Sequence, residues 1–425
     1  LVLANDDGFS ATGNPEHADT PREVIEYVMR DLGAPEGAFY SAEDADSEGE
    51  EGLFYLWTTA EIREVLDAEE ADLVEQVFGL RGGGNYTDEA SGTPTGANIL
   101  SLRRPLPAIA KELALSRDEI ETRLEAARAK LLVRRSSRPR PSRDDKILTD
   151  WNGLMIAALA RAGAALEEPR YVDAAARAAE FLLERLVDDS GRLLHRYRDG
   201  SAAVRAFLDD YAMLAWGLIE LYAARFDERH LERSLALMSE AIDLFWDDEG
   251  GGFFQTARDA ELVLARPKEA YDGATPSGNS VAAENLVRLA RMTGRTELEE
   301  RAARLFRSFS GQVSRAPDGH AHMLGAIALA LGPTYEVVVA GEAGAPDTEA
   351  MLDALRTRYL PTALVLHRST DQERPGLDAL APFAATMASR DGRATAYVCR
   401  EHSCDAPTTD PGAMLAFLGA RGDAD

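Results

Sequence analysis

Phe207 to Tyr222 reads FLDDYAMLAWGLIELY. Past its two aspartates the stretch is apolar nearly all round, which is the signature of a helix buried on every side. Its neighbours alternate with it. Upstream, Trp151, Leu154, Met155, Ala158, Leu159 and Ala162 recur at helical spacing, and Arg170 to Val187 follows with charges on one side. Downstream, His230 to Trp246 is amphipathic, Gly278 to Thr293 mostly apolar, Glu297 to Ser310 amphipathic, and Met323 to Leu331 apolar again. Glycine-marked turns end the half-exposed members at Pro35–Tyr40, Asp189–Leu194 and Glu249–Phe254.

Buried helices alternating with half-exposed ones predict a closed ring of helical hairpins, an α/α toroid. The spacings are too irregular for a short-repeat solenoid. Five or six hairpins fit the chain, the first of them incomplete. Leu1 to Ala4 reads as the tail of an apolar helix with no initiator methionine, which suggests a fragment or an unusual start. The ring is expected over 1–332, with a loop-rich insertion at 79–145. After Gly332 the texture changes to strand, helix, strand: Glu336–Ala340, Asp347–Tyr359 and Ala363–His367. A third strand at Ala394–Cys399 and a helix at Pro411–Leu418 complete a small α/β appendage over 333–425, expected to hold a parallel sheet.

Before the ring's second hairpin, Pro21 to Leu32 is amphipathic and Thr58 to Phe78 has one helical pattern opening on Thr58-x-x-Glu61, a capping box. Arg81 to Pro107 reads as loop with short strands. Ser116 to Val133 is a charged helix, followed by a basic linker, Arg134 to Arg143. Between the first two helices lies SAEDADSEGEEGLFYLWT, Ser41 to Thr58, where carboxylates crowd a glycine-marked loop. Like charges raise one another's pKa and cost folding free energy. Asp44, Asp46 and Glu48 with Gly49 imitate a calcium loop, but its twelfth position, which needs a bidentate Glu, is Tyr55. An EF-hand is excluded.

Composition narrows the function classes. The chain has 425 residues, 45% hydrophobic, with a net charge of −27. Phosphate backbones need a basic patch, so nucleic acid is not an expected partner. An anionic membrane surface is disfavoured for the same reason, and no apolar run reaches the ~20 residues of a membrane span. A cytoplasmic location follows by default. Cys399, His402 and Cys404 make half a zinc site with no second half, so free thiols are expected and no metal. No Walker A, G-x-S-x-G or G-x-G-x-x-G motif appears, and no cofactor is implied.

In a toroid the inner helices run the same way, so their N-termini meet at one mouth, with partial positive charge and free N–H groups. The residues there are Asp150-Trp151-Asn152, Asp209-Asp210-Tyr211 and Ser277-Gly278-Asn279-Ser280. Asp150, Asp209 and Asn279 read plainly as N-caps. That leaves the second carboxylate, Asp210, and Trp151 without a capping role. Lysine is rare, only Lys111, Lys130, Lys146 and Lys268. Two of these flank the mouth, with ion pairs of Lys146 to Asp145 and Lys268 to Glu269 as the structural reading.

The stretches Ser41–Thr58, Asp144–Ala160 (DDKILTDWNGLMIAALA), Phe207–Tyr222 and Arg266–Ala290 (RPKEAYDGATPSGNSVAAENLVRLA) together resemble the thioredoxin-domain-containing family of spermatogenesis-associated protein 20. The resemblance spans essentially the whole chain. It implies a mainly α, (α/α)6 six-hairpin toroid similar to glycoside hydrolases and N-acylglucosamine 2-epimerases, incomplete at the N-terminus. The thioredoxin-like domain that precedes the toroid in that family is absent from this chain, as is most of the ring's first helix.

Three functions are in view. A glycosidase-like enzyme would set Asp44 or Asp46 across the mouth from Asp209 or Asp210, since glycoside hydrolysis needs two carboxyl groups ~5–9.5 Å apart. Trp57, Trp151 and Tyr211 would stack on the sugar. Asp150, Asn152, Lys268, Glu269, Asp272 and Asn279 would complete the binding site. A sugar epimerase or isomerase would use a base near neutrality, drawn from His195, His320 and His322. A non-catalytic toroid would bind a sugar-like small molecule or a protein partner.

Overall fold

The computed structural model describes residues 1–425 except 89–90, 262–264, 372–374, 401–402 and 420–425. The chain divides into two compact units, Leu1–Ser41 with Asp145–Asp425, and the inserted Ala42–Asp144.

The first unit opens with a hairpin of α1 (Val2–Thr12) and α2 (Pro15–Tyr27). The apolar start seen in the sequence is thus the beginning of α1. Asn14 caps α2 by accepting from the Glu16 N–H at 3.1 Å.

The inserted unit follows. Strands β1 (Ala42–Glu43), β2 (Asp46–Ser47) and β3 (Glu50–Glu51) carry the acidic run, and β2 and β3 pair as a hairpin turning at Glu48-Gly49. The single helix expected over Thr58–Phe78 is two, α3 (Thr59–Val65) and α4 (Ala68–Phe78). Asp67 forms a second capping box with Glu70 and restarts the helix, which a period count alone does not register. Helices α5 (Leu106–Glu112) and α6 (Arg117–Arg135) pack with them around Ile62, Val74, Ile109 and Ile120. Strand β4 (Arg143–Asp144) pairs back onto β1, bringing the two ends of the insertion together.

The first unit resumes with β5 (Ile147–Leu148), α7 (Thr149–Ala165), α8 (Pro169–Arg185), and a hairpin of β6 (Leu194–Arg198) and β7 (Ser201–Arg205). Then come α9 (Leu208–Arg225), α10 (Glu228–Phe245), α11 (Gly278–Thr293), α12 (Thr296–Arg315) and α13 (Ala321–Leu331). Helices α7, α9, α11 and α13 pack side by side in that order, and α1 packs on α7. Helices α8, α10 and α12 return outside them. This is the α/α-toroid arrangement, and the described residues hold four hairpins plus α13, against the five or six hairpins expected. On α9 every residue from Asp210 to Tyr222 is buried. It approaches α7 closely: a Cβ on Gly153 would lie 2.5 Å from the Met213 carbonyl carbon, and one on Gly217 2.6 Å from the Gly153 carbonyl oxygen. No side chain larger than hydrogen fits at either place.

The same unit ends with β8 (Tyr335–Gly341), α14 (Pro346–Arg356), β9 (Ala363–Ser369), α15 (Pro375–Leu380), β10 (Thr395–Arg400), β11 (Ser403–Cys404) and α16 (Pro411–Phe417). The sheet order is β11-β10-β8-β9. Only β8 and β9, joined through the crossover helix α14, are parallel; β10 and β11 are antiparallel additions on the other side of β8. The sheet is mixed, not parallel as expected, because only a crossover connection imposes parallel pairing. The free-thiol expectation also fails. The β10–β11 register sets Cys399 directly opposite Cys404, and the two form a disulfide. His402 lies outside the described residues. No helix among the described residues is long and apolar enough to cross a membrane.

Candidate functional site

The N-termini of α7, α9 and α11 do converge, and the residues there sort sharply. Asp210 is the centre. It is 1% exposed; its Oδ1 accepts from the Asp150 N–H (3.1 Å) and its Oδ2 from the Phe207 N–H (2.8 Å). The caps therefore differ from expectation: Asp210, not Asp209, completes the capping of α9, and Ser277, not Asn279, caps α11. His195, on β6, presents Nδ1 to the same carboxylate at 2.9 and 3.1 Å. With both Asp210 oxygens already accepting, the acceptor pattern assigns the proton to Nδ1 and leaves Nε2 as the ring nitrogen available for proton transfer.

The charges here are close and partly out of water. Burial, then the neighbouring Asp210, pushes the Asp150 carboxyl up to about 6. Burial raises Asp210 too, against the opposing His195 bond. Asp209 is raised by burial and by Asp150. The Gly278 N–H approaches Asp209 and counters this, without completing a hydrogen bond to Oδ1, which is buried and unpartnered. The approach is tight: a Cβ on Gly278 would lie 2.1 Å from that oxygen. His195 is raised by its Asp210 bond, against burial. One oxygen or nitrogen from each of Asp150, His195 and Asp210 falls within 4.8 Å of the others, a spacing that could also hold a metal ion. Beside this group stand two exposed rings, Trp151 at 47% and Phe207 at 39%, whose ring meets His195 edge-on; the exposed Tyr271 ring lies against Gly319 and His320.

Several expected site residues have other occupations. Asn152 is buried and clamps the Phe39 backbone, accepting from its N–H (2.8 Å) and donating to its carbonyl (3.0 Å). Asn279 does the same to Phe253, at 2.8 and 2.9 Å. Both phenylalanines follow the glycine turns, so each asparagine locks a hairpin turn onto the next inner helix. Tyr211 is fully buried and donates to Glu240 at 2.9 Å; it offers no stacking face. Lys268 pairs with Asp247 at 2.6 Å rather than Glu269, and Asp145 pairs with Arg198. Glu269 accepts from the N–H groups of Ala270 and Tyr271 in its own loop. Asp272 accepts from the N–H groups of Ser277, His322 and Met323, tying the loop to α13. The remaining candidates belong to the inserted unit. Trp57 is a core residue there, 4% exposed, with the Arg138 guanidinium 4.1 Å from its ring centre. Asp44 and Asp46 are exposed. Hydrogen bonds from Asp46 and Ser142 hold the Asp44 carboxyl below its ordinary range.

Apart from His322, sequence reading missed a second polar group, set among the inner helices. Trp216 Nε1 (2.9 Å) and Arg288 Nη1 (2.6 Å) both donate to Glu220. His322 Nε2 lies 2.9 Å from Glu284, and its ring is 5.1 Å from that of Trp216. Arg161 joins Asp6 and Asp7 of α1. Burial favours protonation of Glu284, but the His322 contact and Arg288 outweigh it and hold the carboxyl at about 2. Asp6 goes the other way, raised to about 6 chiefly by burial. The available signal was charge on otherwise apolar helices: Glu220 on α9, and Glu284 with Arg288 one turn on along α11.

No protein-family model matches the chain. Human spermatogenesis-associated protein 20 is 33% identical over 447 residues, covering 98% of this chain and 56% of the human protein; the rat protein is 33% identical over 439 residues, covering 96% and 55%. The chain thus spans about half the length of the curated relatives it matches. Among solved structures, a D-mannose isomerase is 14% identical with TM-score 0.39, covering 73% of each chain. A family 105 glycoside hydrolase from C. acetobutylicum is 12% identical with TM-score 0.36, covering 75% of this chain and 78% of its own. Identity of a third along nearly the whole chain is what the four sequence stretches led one to expect, and it places this chain in the family of spermatogenesis-associated protein 20, as about half of such a protein.

Proposed function

We propose that the helix-end cluster of Asp150, Asp209, Asp210 and His195 performs acid–base chemistry on a glycoside, in the manner of a glycoside hydrolase. The observation that carries this is the Asp150 carboxyl at about 6, half-buried beside the exposed face of Trp151. A carboxyl group that keeps about half of its protons at pH 6 can protonate a leaving oxygen. Asp209 supplies the second carboxylate such chemistry requires. Asp210 holds both Asp150 and His195 in place, and the Trp151 and Phe207 rings offer the apolar faces on which sugar rings stack. Asp44 and Asp46 are left out of this reading. We place the protein in the cytoplasm, working beside a thioredoxin-like domain outside this stretch of chain.

One observation favours a second reading. The Asp210–His195 dyad has the form of a general base, which suits sugar epimerisation or isomerisation next to a carbonyl. The pH profile separates the two. With Asp150 as acid, turnover falls as pH rises through about 6; with His195 as base, it rises as the imidazole loses its proton. The test is a panel of mono-, di- and aryl glycosides, screened by thermal shift and by turnover. We expect Asp150→Asn and Asp209→Asn to keep ligand stabilisation and lose hydrolysis, and Trp151→Ala to lose the stabilisation. A wild-type protein that no sugar stabilises or reacts with refutes both readings.

A further inference from the structure

The disulfide is absorbed by none of this chemistry, yet it sits beside a cavity. Cys399 and Cys404 both line a space of about 300 Å³. Its other walls include Ala290, Phe383 and Met387, with Arg291, Glu299 and Glu336 as the charged part. Glu336 is the β8 residue directly opposite Cys399, and Arg291 Nη1 reaches it at 3.4 Å. We propose that Cys399–Cys404 is a reversible dithiol–disulfide exchange site, and that the cavity seats a small dithiol with an apolar body.

Three observations support this. The bond has little structural work to do: it spans a sequence separation of only 5, and short loops gain least from cross-linking. The segment is already pinned on both sides of it, by the Arg400–Ser403 pairing and by the Asp405 N–H to Val398 carbonyl bond at 2.9 Å. The two sulfurs also differ in access. Cys404 is exposed on β11, the edge strand of the sheet, while Cys399 is 5% exposed. Thiol exchange is governed by which sulfur a thiolate can reach. Finally, the cavity gives an incoming molecule an apolar wall next to that bond, of a volume that suits a small ligand.

The exchange balances as a two-electron transfer. A thiolate of the external dithiol attacks the Cys404 Sγ, the S–S bond breaks, and Cys399 leaves and takes up a proton. The second thiol of the reagent, as thiolate, then attacks its own sulfur in the mixed disulfide and releases Cys404, which is protonated in turn. The protein gains two thiols and the reagent becomes a cyclic disulfide. Run backwards, the same steps oxidise the protein.

The test uses the full oxidised chain, with dihydrolipoamide as the dithiol and glutathione as the monothiol. Thiols are counted by maleimide mass shift, and far-ultraviolet circular dichroism monitors the fold. We expect dihydrolipoamide to reduce the bond with the helical signal intact, and at least tenfold faster than glutathione at equal thiolate concentration. Met387→Trp, which fills the cavity, should slow the dithiol at least fivefold and leave the glutathione rate and the equilibrium ratio unchanged. If that variant misfolds, Ala290→Val serves the same purpose. Reduction that occurs only on unfolding, equal slowing of both reagents by the cavity variant, or two free thiols in protein equilibrated with oxidised dithiol would each overturn the proposal.

Discussion

Asp150→Asn should make the protein more stable, by a margin that is full at neutral and alkaline pH and shrinks as pH falls towards 4. The folded carboxyl titrates at about 6 against an ordinary 3.8, so between these values the folded state holds a proton that the unfolded state has lost. Any stability from this proton is full below 3.8 and is lost as pH rises through 6. Above that, the ionised form in its half-buried place beside Asp210 costs the fold up to about 3 kcal/mol, at about 1.4 kcal/mol per pH unit. Solvent relaxation makes roughly 1–3 kcal/mol the realistic range. An asparagine stays neutral at every pH, and its Oδ1 can keep the 2.8 Å bond from the Trp151 N–H. Urea unfolding followed by circular dichroism should therefore find the variant more stable by roughly 1–3 kcal/mol at pH 8, with the gain falling to about half at pH 5. Such a gain on removing a group is expected where function has kept a strained charge. Equal or lower stability of the variant at pH 8, or a gain that does not shrink at pH 5, would refute the electrostatic reading of the site.

Two further outcomes follow from the geometry. His195 should titrate above its ordinary 6.5 by NMR, because the Asp210 bond favours the imidazolium; the stability it confers is present below 6.5 and lost as pH rises through the higher folded value. Asp210→Asn should bring that titration down, and a wild-type His195 titrating at or below 6.5 would contradict the dyad. Asn279→Ala strands the buried Phe253 N–H and carbonyl and the Glu269 carbonyl. At about 1–3 kcal/mol for each stranded group, it should destabilise by roughly 3–5 kcal/mol in denaturant unfolding; a loss below about 1 kcal/mol would mean that water or a rearranged turn replaces the clamp.

The amphipathic and all-apolar stretches determined the ring. Whether a helix buries one face or all of them is written in its own period, so α7 to α13 and the change of texture after Gly332 were legible without any contact being known. Capping is equally local, and Thr58 begins its helix where the Thr-x-x-Glu pattern says. The convergence of inner-helix ends was legible as well, because a ring of hairpins imposes it. What the sequence could not determine is which polar side chain at those ends faces which. Asp209 and Asp210 are adjacent in the chain, yet only Asp210 meets His195 from the β6–β7 hairpin. Asn152 reaches Phe39 across 113 residues, and so serves a turn and not a ligand. The Trp216–Glu220–Arg288 group draws on two helices, and Cys399 meets Cys404 only through strand register. Helical period and caps depend on residues a few positions apart, and the sequence alone settles them. A hydrogen bond or a disulfide needs atoms brought within a few ångströms from elements far apart or precisely paired, and only the tertiary structure decides that.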